Sequence, residues 1–583
     1  MTTRAKPSAG ALMAGLCLLL VTVGRGSAAT YYVAQGNAKA SDRGPGTAVQ
    51  PWKTINHAAQ VLKPGDTVIV KAGIYREAVQ PARSGEPGKP IIYQAAPGET
   101  VVVSGAYPVA DWQRDGKIWR RSKWQADLPK EDGLTPRPQM MVQKDGVYGE
   151  AVALYPVLKR EDLREGYFYV DQAAQEISAI PIGEADFQAR PPEVAIRSVV
   201  FSADRKNYVQ IEGFQFRHSS WITVAVGGDH NLIEGNTITW SGFGGLSVSG
   251  EATTVRNNDL SYNGDNGLGG AGINLLIEEN RMNHNNQRLF DSWWHAGGAK
   301  LIGEWTDAAG VKHGGFSKSI IRNNEAAYNV GPGIWLDTEC DDNIIEGNRG
   351  HDNEGPGIMV EVSQRNLVRN NLAYRNRNPV TGYYLTYIPN HDFEDYPPVL
   401  RSSTDFDGFG IYVSSSPYTK VLHNTCYSNE GPGIVVGGGD RTENPNLPWT
   451  PSHAIVMDNL LMNNQGEQLM LQRNLKNGAD EYANISDYNL LFGASERRLA
   501  ASNGYGAGDK YQSLADWQNA SGQDAHSVWG EPLFQRAIEG DFRLLPGSAA
   551  LGKGRLHPDA PLDITGRERP ENKVDIGAYQ SAL

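Results

Sequence analysis

Short apolar runs, each closed by a polar corner, recur through the middle of the chain. The run Asn-Leu-Ile-Glu-Gly-Asn at 231–236 returns as Asn-Ile-Ile-Glu-Gly-Asn at 343–348 and as Asn-Leu-Val-Arg-Asn-Asn at 366–371. Shorter relatives of this run share its closing asparagine, which stands at positions 236, 258, 280, 324, 348 and 371. The intervals are 22, 22, 44, 24 and 23 residues, and we interpret the interval of 44 as two turns of one repeat.

A repeat in the low twenties, built from β-branched runs and Asn/Gly turns, is typical of a solenoid. A leucine-rich repeat has a similar period, but it requires a fixed leucine ladder that this sequence lacks. In a parallel β-helix, equivalent side chains of successive turns stack along the axis, so the repeated asparagines would form a ladder of amides. We therefore predict an all-β protein with the fold of a right-handed parallel β-helix.

The segments on either side of the clear repeat differ from it. Residues 52–62 have helical apolar spacing and are suited to cap the open end, while 64–70 has the pattern of a turn followed by a strand. Strand-like runs at 118–120 and 167–170 interrupt the repeat, and 541–544 and 575–579 are expected to be final strands. We expect five segments: a signal peptide at 1–29, an N-terminal cap and first turns at 30–106, an inserted β-rich module at 107–200, the main turns at 201–475, and C-terminal turns with a cap at 476–583.

The first residues have the pattern of an export signal. Arg4 and Lys6 precede a mostly apolar stretch at 9–23, and Ser27-Ala28-Ala29 has the small residues that a signal peptidase requires. The apolar stretch is too short to span a bilayer, and the rest of the sequence has no apolar run long enough to do so. We expect a secreted or periplasmic protein with no membrane span. Cleavage would leave Cys340 and Cys426, too few for a disulfide-built fold.

Composition narrows the classes of partner. The chain of 583 residues has 40% hydrophobic residues, 66 glycines and 32 prolines, which favours a folded, turn-rich protein over a disordered one. Its formal net charge is −12, and it has no basic block, so we expect no nucleic-acid partner.

Two consecutive repeats align without gaps and place a carboxylate at the same position. Residues 331–337 are Gly-Pro-Gly-Ile-Trp-Leu-Asp, and residues 355–361 are Gly-Pro-Gly-Ile-Met-Val-Glu. Because side chains alternate along a strand, the pairs Ile334/Ile358 and Leu336/Val360 should point into the core. The other four side chains should then face outward on one wall: Trp335, Met359, Asp337 and Glu361.

Stacked carboxylates on adjacent turns carry a chemical consequence. Parallel strands lie about 4.8 Å apart, and at about 5 Å two such charges repel by about 3 kcal/mol at an effective dielectric of about 20. One carboxyl group should therefore hold its proton near neutral pH, although the pattern does not say which. An acid beside an ionised partner at about 5 Å is the arrangement of a retaining glycosidase. A third repeat has Gly437 at this position, so the fold does not require a carboxylate there.

The sequences Trp335-Leu336-Asp337 and Val360-Glu361-Val362 resemble those of glycoside hydrolase family 120, the β-helix β-xylosidases, and more loosely those of family 141. The segments at 54–58, 64–70 and 73–77 and the module before the regular turns are also similar. The resemblance implies that Asp337 is the nucleophile and Glu361 the general acid/base. It also implies hydrolysis of a plant or microbial poly- or oligosaccharide, with a β-xyloside as one possibility. Thr338 stands where the xylosidases have tryptophan, and Ser363-Gln364-Arg365 follows the glutamate segment, so the sugar stays open.

Further candidates surround the pair. The segment at 291–300 combines aromatic, imidazole and ammonium groups, which can stack on a sugar ring or bind its hydroxyl groups or a carboxylate. We expect a carbohydrate substrate, no cofactor and these substrate-binding residues: Asp291, Trp294 (or Trp293), His295, Lys300, Trp335 and Asp407.

Two other functions remain open. In a polysaccharide lyase, clustered acids would hold Ca²⁺, and Lys300 or Arg365 would abstract a proton next to a uronate carboxylate. The acids of that site would be Asp337, Glu339, Asp341, Asp342 and Glu361. The sequence has no dense wall of lysine and arginine for a polyuronate, and an epimerase is disfavoured because it has no Asp-Pro-His-Asp. A non-catalytic glycan-binding solenoid should display repeated aromatic ladders.

Overall fold

The computed structural model describes residues 28–124, 141–144, 151–157, 159–290, 292, 295–302, 305–306, 312–313, 315–378, 383–384, 399–400, 408–441, 449–476, 479–493, 500–502 and 509–582. Nearly all of the predicted signal peptide lies outside these residues. Within them, the chain winds through three long sheets that each turn visits in the same order, which we call sheet 1, sheet 2 and sheet 3. This arrangement confirms the predicted all-β parallel β-helix.

Sheet 1 is a parallel sheet of thirteen strands. Its strands are Thr30–Val33, Thr67–Val70, Ile91–Ala95, Val209–Glu212, Leu232–Glu234, Thr254–Arg256, Leu276–Glu278, Ile320–Arg322, Ile344–Glu346, Leu367–Arg369, Lys420–Leu422, Ile455–Met457 and Ile485–Asp487.

Sheet 2 consists of two groups of parallel strands. Single β-bridges at Asp259 and Arg281 connect the two groups. Its strands are Gly73–Tyr75, Val101–Ser104, Gln215–Arg217 and Thr237–Thr239 in the first group, and Glu325–Ala327, Arg349–His351, Leu372–Tyr374, Thr425–Tyr427, Leu460–Met462 and Leu490–Phe492 in the second.

Sheet 3, which carries the candidate site, has twelve strands and is parallel up to its last, antiparallel strand. Its strands are Phe201–Ala203, Val224–Val226, Leu246–Val248, Asn266–Gly270, Gly297–Ile302, Ile334–Asp337, Ile358–Glu361, Ile411–Ser414, Ile434–Gly437, Leu469–Leu471, Ala500–Ser502 and Asp509–Tyr511.

The repeated asparagines form the expected amide ladder, and it holds successive turns in register. The Nδ2 of Asn236 donates to the Oδ1 of Asn258 at 3.1 Å, and Asn258 donates in the same way to Asn280 at 3.0 Å. All six predicted positions belong to this ladder, which continues at least to Asn489. Since each amide is buried, its hydrogen bonds replace those that water would otherwise provide.

The interval of 44 residues is one turn and not two, so that interpretation was wrong. Asn280 donates directly to Asn324 at 3.0 Å, and strand Leu276–Glu278 pairs with strand Ile320–Arg322. This turn contains strand Gly297–Ile302 of sheet 3, which includes Lys300 and follows His295 in the sequence. This long turn therefore lies directly beside the turn that contains Asp337.

An eight-stranded sheet with its own core interrupts the solenoid. Its core includes Trp112, Trp124, Phe168 and Phe187, and its strands confirm those predicted at 118–120 and 167–170. The strands are Ala106–Pro108, Gln113–Asp115, Ile118–Ser122, Met141–Lys144, Ala151–Val157, Tyr167–Asp171, Glu176–Ile180 and Glu193–Ala195, with a 3-10 turn at Arg160–Asp162.

Short elements complete the chain. The predicted N-terminal helix is present as Ile55–Val61, and it buries Ile55, Ala58 and Ala59 in the solenoid core. A second helix, Leu514–Ser521, buries Trp517 near the other end. Residues 575–579, expected to be a strand, form bends. The remaining short elements are the 3-10 turn Ala537–Glu539 and the hairpins Trp305–Thr306 with Lys312–His313, Tyr383–Tyr384 with Val399–Leu400, Leu475–Lys476 with Ala479–Asp480, and Phe534–Arg536 with Asp541–Leu544.

An aromatic ladder follows one corner of the solenoid. Trp240, Tyr262, His284 and Tyr328 stack face to face on successive turns, with ring centroids 4.8 to 5.3 Å apart. Because the ring faces are turned toward one another, they stabilise the corner and do not form an open platform for sugars. In the described part of the chain, no helix combines the length and the apolar character needed to cross a membrane.

Candidate active site

Asp337 and Glu361 occupy the same position on adjacent strands of sheet 3. Strand Ile334–Asp337 pairs in parallel with Ile358–Glu361, and the partners are Ile334 with Ile358, Leu336 with Val360, and Asp337 with Glu361. This register is the predicted one. The next turns place Ser414 and then Gly437 at the equivalent position, so the carboxylates occupy two consecutive turns of this row.

The predicted alternation of side chains is also confirmed, with one difference. The isoleucines, Leu336 and Val360 lie in the solenoid core, whereas Trp335 and Met359 belong to a separate cluster outside it with Tyr412. This outer cluster is covered: Trp335 is 2% exposed and Met359 is fully buried. The wall that holds the carboxylates is thus packed and largely dry.

Asp337 is paired with a buried lysine. The Nζ of Lys300 lies 2.9 Å from the Oδ2 of Asp337 and 3.7 Å from the centroid of the Trp335 ring. The Lys300 side chain is 4% exposed, so its charge is balanced locally by the carboxylate and the indole face. We predicted Trp335 as a substrate-binding residue, and the structure places the ammonium of Lys300 over its ring.

Glu361 is paired with an arginine from a later turn. The Nη1 of Arg441 lies 2.5 Å from the Oε1 of Glu361, and the glutamate side chain is 7% exposed. Burial and the neighbouring Asp337 carboxylate raise the pKa of Glu361 above its ordinary value, and Arg441 opposes this shift only in part. The surroundings of Glu361 therefore favour its protonated form.

The acids that we considered as a calcium site do not converge. Asp341 and Asp342 both bind the guanidinium of Arg365, at 3.3 Å and 2.8 Å, while Asp337 and Glu361 bind other cations. Across the residues that the structure describes, no three His, Cys, Asp or Glu side chains are grouped so that they could hold a metal ion. Four of the five acids suggested for Ca²⁺ are thus divided among three cations: Lys300, Arg365 and Arg441.

A groove of about 880 Å³ runs along sheet 3 on the N-terminal side of the pair. It begins at Asp204 and Arg205, passes over Ser247 and Gly269, and reaches Lys300. It also includes Ile302, the register partner of Asp337, and Lys300 contacts that carboxylate directly. The groove therefore ends next to Asp337.

His295 lies in the wall of this groove and is held on two sides. Its Nδ1 hydrogen-bonds to the Oδ2 of Asp265, a fully buried carboxylate, and its ring stacks on Phe243 with centroids 5.2 Å apart. Asn266 also lies 3.4 Å from Nδ1. A carboxylate partner of this kind fixes the orientation of an imidazole ring.

The structure brings together four of the predicted site residues: Asp337, Glu361, Lys300 and Trp335. His295 lines the adjoining groove, whereas Asp291, Trp294 and Asp407 lie outside the described residues.

Sequence reasoning missed Arg441 and Asp265. Each belongs to a corner or loop whose polar residues resemble many others in the chain, so only its contact reveals it.

The fold and the site define a right-handed parallel β-helix that carries a carboxylate pair on its third sheet. The family described as "Right handed beta helix region" matches residues 198–391. A curated relative, the uncharacterized protein YwoF of Bacillus subtilis (strain 168), is 38% identical over 65 residues, which is 11% of this chain and 14% of YwoF. The alignment thus spans a small part of both proteins.

Solved structures resemble the chain over nearly its full length. The complex structure of XylC with xylose has a TM-score of 0.61 and 18% sequence identity, and the match covers 95% of this chain and 98% of XylC. A structure titled "Glycoside hydrolase" has a TM-score of 0.45 and 14% identity, and covers 86% of this chain and 96% of its own. At 18% identity, the likeness to XylC shows the shared fold alone.

Proposed function

We propose that the protein is a retaining glycoside hydrolase whose catalytic pair is Asp337 and Glu361. The observation that carries this proposal is the register of the two residues on adjacent parallel strands. Adjacent parallel strands lie about 4.8 Å apart, which is close to the distance between the two carboxyl groups of a retaining glycosidase. An inverting enzyme needs a larger distance, because a water molecule must fit between its carboxyl groups and the sugar.

The surroundings support different roles for the two carboxyl groups. The ammonium of Lys300 lies 2.9 Å from the Oδ2 of Asp337, where its positive charge complements the anionic carboxylate of a nucleophile. Burial and the charge of Asp337 raise the pKa of Glu361, as an acid that protonates the leaving oxygen requires. Asp337 would attack the anomeric carbon while Glu361 protonates the departing oxygen. Glu361 would then accept a proton from the water that releases the sugar.

A carbohydrate is the substrate class that fits this site best. The structure of XylC, which shares the fold, was determined with xylose, so β-xylosides are the first substrates to test. We also propose that the protein acts outside the cytoplasm after removal of residues 1–29, because that segment has the pattern of an export signal. Mass spectrometry of the N-terminus of the exported protein tests the cleavage.

The mechanism predicts a covalent sugar on Asp337. The wild type should release an aryl sugar from one member of a panel of aryl glycosides, and proton NMR should show retention of the anomeric configuration. An activated fluorosugar of the same type should add one glycosyl unit to the peptide that contains Asp337. Inversion of configuration, or labelling of another carboxylate, would contradict the proposed roles.

Variants of Asp337 and Glu361 distinguish the roles of the two carboxyl groups. Asp337→Ala should abolish hydrolysis. Glu361→Gln should still form the intermediate from a substrate whose leaving group needs no proton, and azide should then restore turnover. Asp342→Asn is the matched control, because this carboxylate lies on the same turn but pairs with Arg365. An unsaturated, ultraviolet-absorbing product would instead indicate a lyase, and binding without any turnover would indicate a glycan-binding protein.

A further inference from the structure

The groove on sheet 3 is long enough to hold more than the sugar that is cleaved. Its lining residues lie in or beside five consecutive strands, from Phe201–Ala203 to Gly297–Ile302. Five strands span four spacings of about 4.8 Å, or about 19 Å along the axis. A length of this order accommodates several sugar rings in a row, and the volume is typical of a ligand site.

The floor of the groove is kept low by small residues that the fold itself does not require. Ala225, Ser247, Gly269 and Lys300 form one outward row in register. A Cβ added at Gly269 would meet its nearest atoms, those of the Asn266 amide, at 3.5 Å, which is ordinary contact. At Gly270, by contrast, φ is +148° and a Cβ would lie 2.0 Å from the Val248 carbonyl oxygen. Gly270 is therefore needed for strand packing, whereas a side chain on Gly269 would only fill the groove.

One wall of the groove is aromatic. Phe243 and His295 line it and stack with centroids 5.2 Å apart, and Trp221, which is not a lining residue, stacks on Phe243 at 4.0 Å. His295 is additionally held by the buried Asp265, which places a polar ring at the end of the groove that lies near Lys300. Because these ring faces are stacked on one another, they form no open platform for a sugar; the stack instead holds His295 in a fixed position, and a few polar groups held in fixed positions give a ligand site its specificity.

The charges of the groove favour a neutral chain. Its lining includes the carboxylates of Asp204, Asp229 and Glu251. The two lining cations, Arg205 and Lys300, are already paired with carboxylates, at 3.2 Å with Asp204 and at 2.9 Å with Asp337. A chain of uronic acids would meet these three carboxylates, and both lining cations already have a carboxylate partner. Repulsion between like charges therefore opposes its binding.

We propose that this groove binds the substrate chain on the N-terminal side of Asp337, and that it accepts several units of an uncharged oligosaccharide. His295 contacts the chain, and Asp265 is the positioning residue that orients its ring. The inference rests on the proposed function, because the groove leads to the carboxylate pair.

Binding to an inactive protein tests the groove separately from catalysis. Titration calorimetry uses full-length Asp337→Asn protein and uncharged xylo-, gluco- and manno-oligosaccharides of increasing length, with oligogalacturonate for comparison. Affinity for one uncharged series should rise with chain length. Adding Gly269→Phe should lower that affinity about tenfold or more, since the ring occupies the space of the ligand.

The matched control is Thr254→Phe, which adds the same ring to an outward position of sheet 1 on a neighbouring turn, outside the groove. It should leave the affinity unchanged. The proposal is overturned if no oligosaccharide of the panel binds, if affinity does not depend on length, if Gly269→Phe has no effect, or if oligogalacturonate binds more tightly. If the wild type binds the oligosaccharide but does not hydrolyse it, the proposed function is refuted and the proposal for the groove stands. If the wild type hydrolyses its substrate but Gly269→Phe does not change affinity, the proposal for the groove is refuted and the proposed function stands.

Discussion

The Nζ of Lys300 lies 2.9 Å from the Oδ2 of Asp337, although the two residues are separated by a long excursion of the chain. Lys300 precedes Trp335 in the outward row of sheet 3, where one turn stacks directly on the next. The side chain crosses the Trp335 ring to reach the carboxylate. The solenoid thereby places the buried ammonium of Lys300 between the groove and the proposed catalytic pair.

Replacing Lys300 by methionine should impair both activity and stability. The change keeps most of the side-chain volume but leaves the Asp337 carboxylate without its cation, and breaking a buried ion pair costs about 3 to 5 kcal/mol. We expect kcat/KM for an aryl glycoside to fall about 100-fold or more and the melting temperature to decrease. Lys318→Met, the same change at an exposed lysine of this turn, is the control. Wild-type activity in Lys300→Met would refute the electrostatic role.

Replacing Arg441 by methionine should move the basic limb of the pH–activity profile to higher pH. Arg441 lowers the pKa of Glu361, so its removal raises that pKa further. A general acid works while protonated, and activity is lost as pH rises through its pKa. The basic limb of kcat/KM should therefore move to higher pH. Arg365→Met, which removes an arginine from Asp341 and Asp342, should not move it. A downward shift would contradict the assignment of Glu361 as the acid.

Removing one amide of the ladder should destabilise the solenoid. Asn324 accepts hydrogen bonds from the backbone and side chain of Asn280 and donates to Ile277 and Asn348, all at 2.9 to 3.0 Å. Asn324→Ala leaves these buried groups unpaired, which should cost about 3 kcal/mol or more. Thermal unfolding measures the loss. Thr254→Ala, at an outward position of sheet 1, should change stability by less than about 0.5 kcal/mol.

Asp458 should make stability decrease as pH rises. Burial raises its pKa from 3.8 to about 7, and its Oδ1 accepts the backbone N–H of Arg555 at 2.6 Å. Between these two pKa values the folded protein binds a proton that the unfolded chain releases, so the free energy of unfolding falls with pH. The loss reaches about 4 kcal/mol above about pH 7.

Asp458→Asn tests this dependence, because an amide keeps the accepting oxygen and does not ionise. Asparagine also tolerates the left-handed backbone at this position, where φ is 59°. The melting temperatures measured below and above the pKa of Asp458 in the folded protein should differ less in this variant than in the wild type. Glu531→Gln, an exposed carboxylate, is the control. An unchanged pH slope in Asp458→Asn would show that another group causes it.

The local repeat was sufficient to predict the fold and the register of the two carboxylates in the candidate site. A period in the low twenties with a closing asparagine specifies turns that stack in register, because each amide must meet its equivalent on the next turn. The gapless alignment of 331–337 with 355–361 therefore predicted that Asp337 and Glu361 are partners, and the structure has this register.

The tertiary structure decided everything that depends on residues outside the period. It showed that the interval between Asn280 and Asn324 is one turn with excursions, that Trp335 lies beneath Lys300, and that Arg441 reaches Glu361 from 80 residues away. It also showed the Asp265–His295 contact and the groove beside the pair. A repeat encodes which residues stack because stacking follows from spacing, whereas contacts of loops and corner residues depend on three-dimensional packing that no periodicity records.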